Sequence, residues 1–255
     1  MPFEFAGLTD VGRKREQNED SLLVAPAHNL VAVADGMGGH QSGEVASQIA
    51  VHTMEWFFSS LAADPEATWP YRVDSRYDEH GNRLAVSVQF ANSRIREAAT
   101  EDGRRGMGTT IVAALLKDAK AYVAWVGDSR AYLYRGGQLL PLTVDHSLQN
   151  ELLRTGRIRP EDVAMFQHKN VITRALGMGE RVEVDLVETD LVDQDIVLVC
   201  CDGLTGMLED DQIAEFLKGE RDLNEASRKL VDAANQAGGT DNITVALARY
   251  VAEAA

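Results

Sequence analysis

Hydrophobic and polar residues recur along this chain with two periods, one of two residues and one of three to four. Runs with the shorter period, which is typical of β-strands, occur near both ends and in the middle of the chain. The predicted strands cover residues 3–9, 21–25, 30–35, 109–117, 120–127, 131–135, 138–141, 182–186, 197–201 and 243–250. Turn residues such as Ala27-His28-Asn29 and Gly136-Gly137 lie between them and predict antiparallel hairpins.

Apolar residues at helical spacing predict several helices between these strands. The helical patterns lie at 45–58, 84–98 and 145–155, after Pro160, and around Ile213 and Ala226. Residues 64–83 show neither period and predict a long surface loop, whose Trp69 and Tyr71 either contact a partner or fold back on the core. Strand runs interleaved with clustered helices favour an α+β fold with mostly antiparallel sheets over a doubly wound fold.

The composition narrows the class of protein. The 255 residues are 45% hydrophobic without an apolar stretch of about 18 residues, and the start lacks the pattern of a signal peptide. We therefore predict that residues 1–255 form a single cytoplasmic domain. The net charge of −15 disfavours binding to nucleic acid or to an anionic membrane. Cys200 and Cys201 are adjacent in a predicted strand, where they point to opposite faces and pack as small apolar residues.

Aspartates stand at the ends of three apolar runs. Asp35, Asp128 and Asp202 each follow a run rich in valine, and Asp241 lies in Gly239-Thr240-Asp241-Asn242. A carboxylate at the end of a buried strand is held rigidly at the rim of the core. Several such carboxylates converging on one point repel each other unless cations lie between them. The pattern therefore predicts a site for divalent metal ions.

Two further segments carry charged or glycine-rich motifs. In Asp35-Gly36-Met37-Gly38-Gly39-His40, three glycines after a strand-end carboxylate let the backbone approach a ligand closely. In Arg15-Glu16-Gln17-Asn18-Glu19-Asp20, an arginine lies five positions before a carboxylate, directly ahead of a predicted strand. Taken alone, the first segment is also typical of a plain turn, and the second of a solvated charge cluster.

The order of these motifs resembles the metal-dependent protein serine/threonine phosphatases of the PP2C (PPM) family, particularly the bacterial ones. The matching motifs lie at 12–21, 34–43, 127–130 with 201–204, and 238–244, with further matches at 108–110 and 170–177. The resemblance extends from about Phe5 to about Arg249. It implies two antiparallel β-sheets that form a central sandwich flanked by α-helices on both faces, with metal ions in a cleft at one end.

The resemblance also implies a set of metal ligands. Two tightly bound Mn²⁺ or Mg²⁺ ions are expected, with a third, weaker ion. The implied ligands are Asp35, which bridges the two ions, the backbone carbonyl of Gly36, Asp202, Asp241, and Glu19 and Asp20, which reach the metal or its bound water. Asp128 is expected to bind the third ion with Asp202, although a strand-end cap or a salt bridge to Arg130 is an alternative role for Asp128.

The implied reaction is hydrolysis of phosphoserine and phosphothreonine by direct attack of a hydroxide that bridges the two ions. In this scheme Arg15 clamps the phosphate, His40 protonates the departing oxygen and Asn242 orients a metal-bound water. His146 and His168 fall in the segment that corresponds to the flap of the family and are expected to touch substrate. The remaining histidines, His28, His52 and His80, are expected to be surface or packing residues.

The expected partners are phosphorylated proteins, including a serine/threonine kinase that the phosphatase opposes, and the chain is expected to be a monomer. Two alternatives stay open at this point. One is a non-catalytic, phosphoprotein-binding member of the same fold. The other is an unrelated phosphohydrolase that forms an aspartyl-phosphate. The second requires an aspartate two residues before another, whereas Asp35 is followed by Gly36 and Met37.

Overall fold

The structure is a computed structural model that describes residues 2–38, 42–64, 69, 71, 73–100, 106–166 and 171–252. Within these ranges the strands are β1 Phe3–Asp10, β2 Asp20–Ala25, β3 Leu30–Met37, β4 Gly108–Thr109, β5 Ile111–Lys117, β6 Lys120–Val126, β7 Arg130–Arg135, β8 Gln138–Pro141, β9 Asp185–Asp190, β10 Ile196–Cys200 and β11 Ile243–Tyr250. The helices are α1 Ser42–Ala63, α2 Glu79–Ala98, α3 Leu148–Arg154, α4 Asp202–Thr205, α5 Asp210–Leu217 and α6 Leu223–Gln236, with short 3₁₀ helices at Pro26–His28 and Pro160–Met165.

The strands form two antiparallel sheets. One has the order β1-β11-β10-β7-β8, and the other has the order β2-β3-β5-β6-β9, with β4 paired to β3. The two sheets pack face to face through apolar side chains such as Val33 and Val123 from one sheet and Val197 and Ala246 from the other. The predicted α+β sandwich is confirmed.

Helices cover both outer faces of the sandwich. Helices α1 and α2 pack on the sheet that contains β3, and α5 and α6 pack on the sheet that contains β11. Strand β3 shows how the period of two produces these layers, because Val31 and Val33 face the other sheet while Ala32 and Ala34 face the helices. The strand is therefore buried on both sides, and its carboxyl end is held rigidly.

The loop predicted at 64–83 is shorter than expected. Helix α2 begins at Glu79, so His80 lies in a helix and not in the loop. The Asp78 side chain accepts a hydrogen bond from the Gly81 N–H at 3.0 Å, and the Asn82 amide donates to the Asp74 and Tyr77 carbonyls at 2.9 Å each. These contacts cap the first turn of the helix. Residues 65–68, 70 and 72 lie outside the described residues.

Two other features differ from or extend the predictions. Trp69 and Tyr71 pack against the core beside α1 and α2, as one of the two expectations had it. The strand predicted at 109–117 is interrupted at Thr110, because the Thr110 N–H donates to the Asp35 carbonyl at 2.9 Å instead of continuing a regular ladder. Among the described residues, no helix is long and apolar enough to cross a membrane.

Candidate active site

The first wall of the site is formed by the adjacent ends of β2 and β3. Asp20 and Asp35 are directly opposite each other in the antiparallel register. Asp20 is buried and accepts a hydrogen bond from the Thr244 hydroxyl at 2.6 Å. The backbone of Asp35 is held by Thr110, whose hydroxyl accepts from the Asp35 N–H at 3.1 Å. The two carboxylates are therefore fixed by strand pairing and by threonines from neighbouring elements.

The second wall comes from the other sheet. Asp202 is the first residue of α4, directly after β10, and Asp241 lies just before β11, the neighbour of β10. Gly203 allows the two loops to approach closely, because a Cβ at this position would lie 1.9 Å from the Asn242 carbonyl oxygen. Cys201 supports the approach, since its sulfur accepts from the Thr244 N–H at 3.1 Å. The buried packing role predicted for Cys201 is confirmed and extended by this contact.

The carboxylates strongly perturb one another. Burial raises the pKa of Asp35 well above its ordinary value, and the charges of Asp20, Asp202, Asp128 and Asp241 raise it further. The pKa of Asp20 is raised to about 7 by burial, although hydrogen bonds from Thr244 and Cys201 oppose the shift. These five aspartates therefore share one region of high negative potential. Three of them, Asp35, Asp128 and Asp202, lie at the ends of different strands.

The remaining carboxylates show the same trend. Burial raises the pKa of Asp128 to about 6, with a further contribution from the charge of Asp202. Burial followed by the charge of Asp241 raises the pKa of Asp202, and burial raises that of Glu19. Holding all of these groups ionised at neutral pH requires compensating positive charge, which divalent cations supply.

The residues present fit oxygen-preferring metal ions. Within the described ranges, no three histidine, cysteine, aspartate or glutamate side chains already surround one point as metal ligands would. However, Oδ1 of Asp202 is buried and has no hydrogen-bond partner, which is costly for a carboxylate oxygen. Gly36 offers only backbone to the site, since a Cβ there would lie 2.2 Å from the Gly43 oxygen. Carboxylate and carbonyl oxygens are the donors that Mg²⁺ and Mn²⁺ prefer.

The loop 11–19 contacts the site through hydrogen bonds to Asp241 and Asn242, the two residues just before β11. The Nη2 atom of Arg15 donates to Oδ2 of Asp241 at 2.7 Å, and half of the Arg15 side chain is exposed. Asn242 is buried and holds this loop: its Oδ1 accepts from the Glu19 N–H at 2.8 Å, and its Nδ2 donates to the Val11 and Gln17 carbonyls at 3.0 and 2.9 Å. Both N–H donors of Asn242 are thus used by the backbone, which differs from the predicted role of orienting a water.

Asp128 follows β6 at the mouth of the site. The salt bridge considered for it is replaced by a different pair, because Arg130 binds Asp145 through two hydrogen bonds of 2.9 and 2.7 Å. Asp128, Arg130 and Asp145 line a cleft of about 380 Å³ that also contacts Asp202 and Asp241. A larger groove, of about 690 Å³, lies between α1 and α2 and is lined by none of these carboxylates. Of these two, the cleft beside Asp128 is therefore the one that borders the carboxylates.

Three histidines, His40, His146 and His168, were predicted to act in the active site or to touch substrate. His40 and His168 lie outside the described residues, so the predicted proton donor stays a prediction. His146 is buried with its ring against Trp125 and bonds to the backbone of Gly127, so its contacts in this structure are with the protein, and the expected substrate contact stays a prediction.

Sequence reasoning missed the hydroxyl groups that hold the carboxylates. Thr244 donates to Asp20 and lies 2.7 Å, oxygen to oxygen, from Thr9. Thr110 lies 2.7 Å from the Ser129 hydroxyl while bonding to Asp35. One available signal was the position of Thr244 as the second residue of the predicted strand 243–250, where alternation places it on the face opposite to Ile243 and Val245.

Comparisons with known proteins show which family the chain resembles. The family model of protein phosphatase 2C matches residues 9–243. The serine/threonine phosphatase stp of Listeria monocytogenes is 41% identical over 247 residues, which are 94% of this chain and 92% of that protein. The structure of the S. agalactiae serine/threonine phosphatase has a TM-score of 0.83 at 37% identity and covers 98% of this chain and 100% of that one. The catalytic domain of the phosphatase PstP, in complex with two manganese ions, has a TM-score of 0.81 at 33% identity, with coverage of 98% and 99%.

The sandwich of two antiparallel sheets thus matches serine/threonine phosphatases along nearly the whole chain. The chain belongs to the protein phosphatase 2C family, in which metal ions are required for activity. It is a serine/threonine protein phosphatase of the bacterial type. This membership excludes the alternative of an unrelated phosphohydrolase.

Proposed function

We propose that this phosphatase hydrolyses phosphoserine and phosphothreonine by direct attack of water, without a phosphorylated enzyme intermediate. The observation that carries the proposal is the buried Oδ1 of Asp202, which has no partner inside a cluster of carboxylates with raised pKa values. Such a cluster is suited to binding cations. Burial keeps the pKa of the adjacent Cys201 thiol well above its ordinary value, so this thiol is not activated as a nucleophile.

The ligands of two Mn²⁺ or Mg²⁺ ions would be Asp35, the carbonyl of Gly36, Asp202 and Asp241, with Glu19 and Asp20 beside them. A third, weaker ion would be held by Asp128 with Asp202. When bound, these ions would supply an activated water and would stabilise charge on the phosphoryl oxygens. The protein would contribute fixed positions for every donor, because each one lies at the end of a paired strand or in a hydrogen-bonded loop.

Arg15 is proposed to bind the phosphate. Its guanidinium stands at the exposed rim of the site, and its contact with Asp241 orients the group. A planar guanidinium has five N–H donors, so it is able to bind two phosphate oxygens while keeping this contact. His40 is proposed to protonate the departing serine or threonine oxygen, on the evidence of its place in the glycine-rich segment after Asp35.

The proposed substrates are phosphorylated proteins, including a serine/threonine kinase that this enzyme opposes in cytoplasmic signalling, with the enzyme acting as a monomer. Support for protein substrates comes from the relatives, which are named serine/threonine or protein phosphatases. The net charge of −15 favours protein partners over nucleic acids and anionic membranes.

The test is hydrolysis of a phosphothreonine peptide by the wild type and the Asp202→Asn variant in Mn²⁺, in Mg²⁺ and in EDTA. We expect turnover that depends on metal and falls by at least about 100-fold in the variant, because a ligand to the ions is lost. Asp118→Asn is the matched control, since Asp118 is exposed in the β5–β6 turn with a positive φ that asparagine also adopts.

Acid quenching during turnover of a ³²P-labelled substrate tests the absence of a phosphoenzyme. Labelled protein recovered from the quench would contradict direct attack by water. Metal binding without turnover on any phosphopeptide would instead favour the non-catalytic, phosphoprotein-binding alternative.

A further inference from the structure

His146 occupies an unusual place for a histidine at the mouth of an active site. The residue is 9% exposed, and its ring stacks on Trp125, with the ring centroids 6.0 Å apart and an angle of 17° between the planes. Three elements meet around it: the end of β6, the start of β9, and the segment that contains α3. A buried imidazole at such a junction needs hydrogen-bond partners for both nitrogens.

The partners of His146 define its tautomer. Nδ1 accepts a hydrogen bond from the Gly127 N–H at 3.1 Å, so Nδ1 carries no proton. The proton is therefore on Nε2, which lies 3.2 Å from Oδ2 of Asp185 and donates to it. Nη1 of Arg174 also lies 3.2 Å from Nε2 of His146, and it donates to the other oxygen of Asp185 at 2.9 Å, which fixes the carboxylate. Burial lowers the pKa of His146 below its ordinary value; the hydrogen bond to Asp185 opposes this shift, and the charge of Arg174 adds to it.

The contact with Gly127 has a consequence for the active site, because Gly127 directly precedes Asp128. A second hydrogen bond joins the same two residues: the backbone N–H of His146 donates to the Gly127 carbonyl at 2.8 Å. Gly127 is therefore attached to His146 at two points. Gly127 has a φ of +115°, and a Cβ there would lie 2.6 Å from the Thr110 side chain. The peptide before Asp128 is thus held between His146 on one side and Thr110, which binds Asp35, on the other.

We propose that His146 is a positioning residue that sets the direction in which Asp128 enters the carboxylate cluster, acting through the Gly127 N–H. The inference rests on the proposed role of Asp128 in binding the third ion. Residues that orient metal ligands through one hydrogen bond commonly change metal affinity by about 10-fold to 100-fold when they are replaced. His146 also receives the Thr173 N–H on its carbonyl at 2.7 Å, so both stems of the segment 145–173 are attached to the same point.

Two amide variants separate this role from simple packing. In His146→Asn, the short side chain places its Oδ1 near the position of Nδ1, where it accepts from Gly127. In His146→Gln, the longer side chain places its amide near the position of Nε2, where it reaches Asp185 but not Gly127. Both variants remove the ring and its contact with Trp125, so a packing role affects them alike.

The first readout is hydrogen exchange of the Gly127 amide in EDTA, which requires neither metal nor activity. We expect exchange at least about 10-fold faster in His146→Gln than in the wild type, and nearly unchanged in His146→Asn. The second readout is the Mn²⁺ concentration that gives half-maximal activity, which we expect to rise about 10-fold in His146→Gln and less than about threefold in His146→Asn. Equal behaviour of the two variants in both readouts would overturn the proposal.

A third measurement uses the wild type alone and stays decisive if either variant fails to fold. The ¹⁵N chemical shifts of the His146 ring at pH 7.5 should show Nε2 protonated and Nδ1 unprotonated. A proton on Nδ1 would rule out the hydrogen bond from the Gly127 N–H and would contradict the proposal. Exchange and tautomer do not depend on turnover, so failure of the proposed phosphatase mechanism would be recognised separately, by lost activity with these two results intact.

Discussion

Without metal, this protein should lose stability as the pH rises from 5 to 8. Asp20 contributes strongly to this effect, because its pKa is raised from 3.8 to about 7 in the folded protein. A raised carboxyl pKa means that the folded state binds more protons than the unfolded state between these values. Stability from this group is therefore fully present at low pH and is lost as the pH rises through about 7.

The magnitude follows from the size of the shift. One pKa unit corresponds to about 1.4 kcal/mol, so ionising Asp20 in the folded protein costs about 4 kcal/mol in total. The unfolded chain is already ionised at pH 5, and about 3 kcal/mol of this cost falls between pH 5 and pH 8. Because the free energy of unfolding of a protein is typically about 5–15 kcal/mol, a change of this size is large enough to measure.

The assay is urea unfolding at pH 5, 6, 7 and 8, in EDTA and in Mn²⁺, for the wild type and Asp20→Asn. Asparagine keeps an oxygen that accepts from Thr244, so the variant removes the charge and keeps the hydrogen bond. His146 acts in the opposite sense, since its lowered pKa makes stability rise with pH. Its contribution is common to both proteins and cancels in their difference.

We expect the metal-free wild type to lose about 3 kcal/mol relative to Asp20→Asn across this range, and Mn²⁺ to reduce or reverse the loss because the cations favour the ionised carboxylates. A metal-free wild type whose stability stays level or rises with pH relative to the variant would refute the reasoning.

Three further predictions concern single residues. Gly36→Ala should destabilise the protein by about 3 kcal/mol or more in urea unfolding, because backbone oxygens lie 2.2 and 2.4 Å from the new Cβ. The control Gly136→Ala places its Cβ in open space and should cost about 1–2 kcal/mol. Equal costs for the two variants would contradict this prediction. Thr244→Val should raise the pKa of Asp20 further and cost about 1–2 kcal/mol in EDTA, and an unchanged unfolding midpoint would argue against that hydrogen bond. His40→Ala should lower kcat about 100-fold on a phosphoserine peptide but much less on p-nitrophenyl phosphate, whose leaving group needs no proton; equal losses on both substrates would exclude general-acid catalysis.

Much of the fold could be predicted from the chain alone because strand periodicity is a local property. The last strand, predicted at 243–250, is β11 Ile243–Tyr250, and the Gly136-Gly137 turn joins β7 and β8 as expected. The helix boundary at Glu79 could not be predicted in the same way. It depends on capping by Asp78 and on the Asn82 amide, which are polar contacts without an apolar period.

The site shows the same division. The strand-end aspartates were visible in the sequence, because a charged residue directly after a buried run marks the rim of a core whatever the rest of the chain does. The partner of each side chain was not visible. Arg130 binds Asp145, which is 15 residues away, and not Asp128 two residues away, because the chain after β8 continues alongside the start of β7, with the Leu142 N–H donating to the Ala131 carbonyl.

The sequence by itself therefore determined the sandwich, the family and the set of carboxylates, since these depend on residue type, spacing and order. Only the tertiary structure decided that Asn242 holds the loop 11–19 and that His146 faces the backbone of Gly127. Both are contacts across chain separations that no local pattern encodes. A buried polar side chain must bond to whichever donor or acceptor the packed elements bring within about 3 Å, and packing alone specifies which group that is.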